Sequence, residues 1–131
     1  MRASRVSLVT QSLFYMAAGV NHFWHESFYR HIMPDHYSHP DGWVLFTGMA
    51  EILGGVGLLH PKIRRAAAIG IALMLVGYFD VHIFMLRHSE RFPEVPHWLL
   101  VARLPMQIVL IAWALEFASR EKQLPERDSL Q

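Results

Sequence analysis

A nearly unbroken apolar stretch from Gly42 to Pro61, GWVLFTGMAEILGGVGLLHP, carries a single carboxylate, Glu51, near its middle. Its length suits a helix crossing a hydrocarbon core of about 30 Å, which takes roughly 20 apolar residues. A water-soluble helix would turn such a glutamate to solvent, but this segment has no polar face to turn. Thr47, Glu51 and Gly55 recur every four residues and form one narrow stripe on an otherwise greasy cylinder. A charge at the bilayer centre costs on the order of 3 kcal/mol, so Glu51 demands neutralisation, a partner or water.

Three further apolar runs accompany it. The spacing predicts helices over 6–24, 42–60, 66–86 and 97–118: an all-α, integral membrane four-helix bundle formed by residues 1–118, followed by a polar cytoplasmic tail, 119–131. Composition agrees, with 53% hydrophobic residues and only 18% charged, below the quarter or so usual in soluble proteins. The absence of cysteine excludes disulfides, thiolate metal sites and thiol chemistry within the chain. No basic stripe suggests nucleic acid.

The first run follows Arg2 and Arg5 and also fits the basic and apolar regions of a signal peptide. Its length, and its polar end at Asn21-His22 in place of a small-residue cleavage site, favour a retained helix. On that helix Gln11, Phe14, Ala18 and His22 share a face. In the connection after it, Phe28, Tyr29, Ile32 and Met33 fall at helical spacing, predicting a short amphipathic helix lying in the membrane interface. Pro34 should end that helix, and Pro40 should open the next. The short turn Pro61–Arg65 makes the second and third long helices antiparallel neighbours.

Lysine and arginine set the orientation. Arg2, Arg5, Lys62, Arg64, Arg65, Arg120, Lys122 and Arg127 gather at one end, against Arg30, Arg87 and Arg91 at the other. The positive-inside rule then gives a multi-pass protein of the cell (inner) membrane with both termini cytoplasmic. Trp24, Trp43 and Trp98 fall near the outer interface, where indole rings favour the headgroups.

With that topology the intramembrane polar residues all lie in the outward half. Glu51 and Asp80 are the candidate proton-exchanging groups and Arg103 the candidate stabiliser of an oxyanion, the three forming the expected catalytic set. His22, His82, Gln107, Tyr78 and Thr47 are the expected ligand-binding residues. Asp80 and His82, two residues apart, point roughly 200° away from each other, so both cannot face one pocket. Arg103 and Gln107 share a face, with Pro105 between them. The expected pairing sets Arg103 against Glu51 or Asp80, and leaves the other acid to His22 or to protonation. The plainer alternative makes these groups interhelical glue, although such hydrogen bonds average only about 0.6 kcal/mol in membranes.

Eight of the nine histidines fall on the outward side; His60 does not. His22, His25 and His82 are the candidate metal ligands, without any HExxH pattern to support them. A haem would need an axial pair in the core, for which His22 with His82 is the candidate.

Several segments together resemble a known family. GVNHF at Gly19–Phe23, TGMAEILGGVGLL at Thr47–Leu59, the basic turn followed by AAAIGIALML, and RLPMQIVLIAWAL at Arg103–Leu115 resemble the DoxX-like family of small four-helix membrane proteins. The likeness covers almost the whole chain except the tail. It implies His22, Glu51, Arg103 and Gln107 as the polar positions, and association with quinone-linked membrane redox systems. Where it implies a segment like FPANIYM, the chain has FDVHIFM, which introduces Asp80 and His82. The resulting expectation is a redox-associated subunit or accessory that binds a quinone or small molecule in an outward polar pocket. Its partners would be the lipid bilayer and a membrane or extracytoplasmic redox protein; whether it is an enzyme stays open. The rivals are a non-catalytic lipid- or small-molecule-binding or assembly protein, and a metal- or haem-binding protein using the outer histidines.

Overall fold

A computed structural model describes residues 2–120, with side chains from Arg5 to Ala118. Among them the chain is all-helical, without a strand. Four long helices, α1 (Arg2–Trp24), α3 (Pro40–Leu59), α4 (Arg64–Arg87) and α5 (His97–Arg120), are joined by a short helix α2 (Glu26–Ile32), one 3-10 turn at Ser89–Arg91 and brief loops. The helix limits agree with the apolar runs to within a few residues. The predicted tail from 119 lies outside the described residues beyond Arg120.

The boundaries have local causes. Residue Met33 takes an extended conformation (φ −66°, ψ 132°), as the residue before a proline must, and α2 stops there. Pro40 opens α3 at its first position, where its missing N–H costs nothing, and Asp41 follows in the first turn. At the other end, Arg64 reaches back over the tight turn and its Nε donates to the Leu58 carbonyl at 2.7 Å, satisfying one of the carbonyls that a helix end leaves open.

α1 packs most closely on α3, and the sequence shows why. A methyl group on Gly19 would stand 2.6 Å from the Gly48 carbonyl oxygen, and one on Gly55 2.7 Å from the Ser12 carbonyl oxygen. Only glycine lets the two backbones come this near, as at small-residue crossings in membranes. The Ser12 hydroxyl donates to the Gly55 carbonyl across the same seam. The buried face of α1 is therefore Leu8, Gln11, Ser12, Tyr15, Gly19 and His22. Phe14, expected on it, is 46% exposed, because the seam follows the glycines and runs one residue to the side.

α4 packs on α5, and α3 meets α4 along a looser seam. α1 is tied to α5 by Gln11, whose Nε2 donates to the Trp113 carbonyl, and by Trp113, whose indole N–H donates to Ser7. Two apolar clusters hold the ends. Leu8, Tyr15, Leu58, Ile71, Leu75 and Phe117 fill the end near the turn, and Ile32, Met85, Phe92 and Leu100 the end where the longer loops meet. Ile32 and Tyr29 turn part of the apolar side of α2 into this second cluster, against protein, while Phe28 stays 40% exposed.

Three helices, Pro40–Leu59, Arg64–Arg87 and His97–Ala118, are long and apolar enough to cross a membrane. Their outward faces are greasy too: Phe46 is 63% exposed, Leu53 66% and Leu73 69%. Soluble proteins seldom present apolar surface on this scale, so lipid is its natural solvent.

Candidate functional site

Between the two apolar clusters lies a polar layer. The Thr47/Glu51/Gly55 stripe of α3 faces α1, and His22 sits at the end of α1 where that stripe passes. Glu51, 4% exposed, is held from two sides. The Tyr78 hydroxyl donates to its Oε1 at 3.1 Å, and His22 Nε2 stands 3.2 Å from its Oε2, in charge contact but off the axis of a good hydrogen bond. His22 Nδ1 faces the Val44 carbonyl and the Thr47 hydroxyl, both at 3.3 Å. A carbonyl can only accept, so Nδ1 carries a proton.

Aromatic rings close this unit. Tyr29 of α2 stacks on His22 with centroids 4.0 Å apart, and its hydroxyl accepts a hydrogen bond from Asn21 at 2.8 Å. Sequence reasoning missed Tyr29 and Asn21 in this role. The signal that could have found them is the stripe containing Tyr29, read as packing on protein.

A second unit joins α4 and α5. Gln107 Nε2 donates to the Leu75 carbonyl at 2.6 Å, which fixes the amide, so its Oε1 accepts from His82 Nε2 at 3.3 Å. His82 is 9% exposed, and its Nδ1 has no hydrogen-bond partner among the described residues. Arg103, one turn before Gln107 on α5, is partly buried. Its guanidinium makes one hydrogen bond among the described residues, to the Met85 sulfur at 3.1 Å.

The expected pairing of Arg103 with Glu51 or Asp80 is thus not formed. Glu51 lies on the face of α3 turned to α1, and Asp80 on the face of α4 turned to the loop after α2. Asp80 accepts there from His36 Nε2 at 2.7 Å and from the Tyr37 hydroxyl at 2.8 Å. Burial of Asp80 is slight, and it looks into a small outer cleft of about 350 Å³ with Asp35, His36 and His88. The 200° divergence of Asp80 and His82 places one outside and the other inside. Of the candidate metal ligands, His22 and His82 turn Nε2 to Glu51 and Gln107, while His25 stacks on Trp24. No group of three or more His, Asp or Glu side chains among the described residues is arranged to hold a metal.

The polar layer forms one end of a cavity of about 680 Å³ that follows the loose α3–α4 seam. His22, Tyr29, Thr47, Tyr78, His82 and Arg103 border its polar end. Below them the walls are apolar and small: Ala50, Leu53, Gly54 and Gly57 from α3, and Ala66, Gly70, Leu73 and Gly77 from α4. Gly70 and Gly77 have nothing within 4 Å of where a methyl group would project. Glu51 and Asp80 are not on the wall, and Gln107 supports it from behind through His82. Among the described residues Arg103 is the one lining residue with a fixed charge.

The profile of a family described as a domain of unknown function (DUF8561) matches residues 11–118. The chain belongs to the DUF8561 family. The match begins at Gln11 and ends at Ala118, so the DUF8561 region encloses the glycine seam, the polar layer and the whole groove. No curated protein and no solved structure matches the chain.

Proposed function

We propose that this DUF8561 chain is a multi-pass, four-helix membrane protein that binds an amphipathic small molecule in the α3–α4 groove, head at the polar layer and tail along the apolar seam. The helices would stand with the loop end outward and the Lys62–Arg65 turn in the cytoplasm, as the charge asymmetry indicates. The observation that carries the reading is the continuity of the cavity. It runs from His22, His82 and Arg103 down to Gly57 and Ile63, presenting polar side chains at one end and only apolar wall beyond. A pocket lined mainly by apolar groups, with a few convergent polar ones, is the ordinary form of a small-molecule site.

Binding fits the geometry better than proton-coupled chemistry. A general acid or base must come within about 3 Å of the group it serves. Glu51 is screened from the cavity by His22 and Tyr78, and Asp80 opens toward the outer loop. The redox-accessory reading rests on the DoxX-like resemblance, and a quinone is the occupant it would place in the groove.

The test is to purify the full chain in mild detergent and identify co-purified lipids and quinones by mass spectrometry, beside Gly77→Leu. The leucine would project into open space in the groove, so it should remove the bound molecule while the protein stays folded. Equal amounts in both proteins, or nothing retained by either, would overturn the reading.

A further inference from the structure

The geometry points to the chemical class of the occupant: an amphiphile with a long apolar tail and an acidic headgroup, a carboxylic or a phosphoric acid. The inference rests on the groove being a binding site and goes on to say what it selects.

Charge is the first argument. Arg103 lines the polar end without an acid beside it among the described residues, and only one of its five N–H donors meets an acceptor, a weakly accepting thioether. The nearby acids are spent elsewhere, Glu51 on His22 and Tyr78, Asp80 on His36 and Tyr37. An intramembrane arginine calls for a counter-charge, and guanidinium matches carboxylate and phosphate with two parallel hydrogen bonds. The missing negative charge therefore comes with the ligand.

His82 borders the same end with its Nε2 committed to the Gln107 oxygen and its Nδ1 closed off, so Arg103 is the group left to select the headgroup. A guanidinium meets a carboxylate or phosphate as an ion pair and a neutral alcohol or quinone carbonyl only as a hydrogen-bond donor.

Dimensions define the tail. From Thr47 to Gly57 the groove descends about 15 Å at 1.5 Å per residue, which is the hydrocarbon depth of one leaflet, half of the ~30 Å core. The cavity of about 680 Å³ extends further, from Trp43 to the turn. A narrow apolar trough of that length, walled by Ala50, Gly54, Gly70 and Gly77, suits a polymethylene tail.

The experiment measures equilibrium binding of oleate, oleyl phosphate, oleyl alcohol and a decyl-tailed benzoquinone to the full chain in a non-ionic detergent. At least one acid should bind tenfold or more tightly than the alcohol and the quinone. Arg103→Gln should shrink that preference to within twofold, and Arg103→Lys should retain part of it. The preferred acid, carboxylate or phosphate, identifies the headgroup. If the alcohol or the quinone binds the wild-type protein as well as both acids do, the inference is overturned, a result that needs no variant to fold. Should Gly77→Leu still weaken those neutral probes, the groove reading survives; if no probe binds, or Gly77→Leu changes none of them, both fall.

Discussion

Alanine at two different sets of glycines should have opposite effects on stability. A glycine inside a helix is about 1 kcal/mol less favourable than alanine, because it surrenders more backbone freedom on folding. At Gly70 and Gly77 a methyl group would meet nothing within 4 Å, so only that term acts. Gly70→Ala and Gly77→Ala should each stabilise by up to about 1 kcal/mol. At Gly19 the same methyl would stand 2.6 Å from both the Gly48 carbonyl oxygen and Ile52 Cγ1. The first of these is backbone and cannot swing aside, so α1 and α3 must separate. Overpacking of this kind costs about 1–3 kcal/mol, more than the helix preference returns. Reversible unfolding in mixed detergent–SDS micelles, followed by circular dichroism, gives both signs on one scale. Destabilisation by Gly70→Ala and Gly77→Ala, or a neutral Gly19→Ala, would refute the account of an open groove beside a closed seam.

Other outcomes follow from single contacts. His22→Phe should cost about 3 kcal/mol or more by leaving the Glu51 carboxyl buried with Tyr78 alone, while Glu51→Gln, which keeps both neighbours, should cost about 1 kcal/mol; equal losses in the same unfolding assay would contradict the pairing. The Tyr37 phenol is held above its ordinary value of 10.0, first by its hydrogen bond to Asp80, then by burial and by the Asp80 charge. Because the folded value is the raised one, this contact contributes to stability up to about pH 10 and is lost as pH rises through the folded value. An ultraviolet phenolate titration, with Tyr37→Phe assigning the signal, should show the midpoint falling toward 10.0 in Asp80→Asn; an unmoved midpoint would rule out the contact. The exposed Arg91–Asp35 pair, 3.0 Å apart, should show a coupling of at most about 1 kcal/mol in a double-mutant cycle.

What the sequence revealed, and what it concealed, divides along physical lines. Helix positions were legible because each long helix is an apolar run with prolines and polar loops at its ends. The Thr47–Glu51–Gly55 stripe was legible because helical spacing alone defines it, and it does face a neighbour. The partners of Glu51 were only half legible. His22 was one option, but depth in a bundle does not reveal which face meets which helix, and Arg103 was set against an acid it never meets. Tyr29 was hidden because an amphipathic stripe reads the same whether it faces lipid or protein. The groove was hidden most deeply. It is made by absences, Gly70 and Gly77 opposite Ala50 and Gly54, and those small residues read equally well as a place where helices touch.

The flank of that groove carries Phe46, Leu53 and Leu73, side chains that face outward along the helices. In the proposed membrane setting an opening there would lead to the acyl chains of the bilayer and not to either aqueous phase. Exchange of an occupant would then be a two-dimensional process, supplied by lateral diffusion within a leaflet. Occupancy would follow the mole fraction of the amphiphile among its neighbouring lipids, so the protein would report on, or draw from, the composition of its own membrane even when the free concentration in water is negligible.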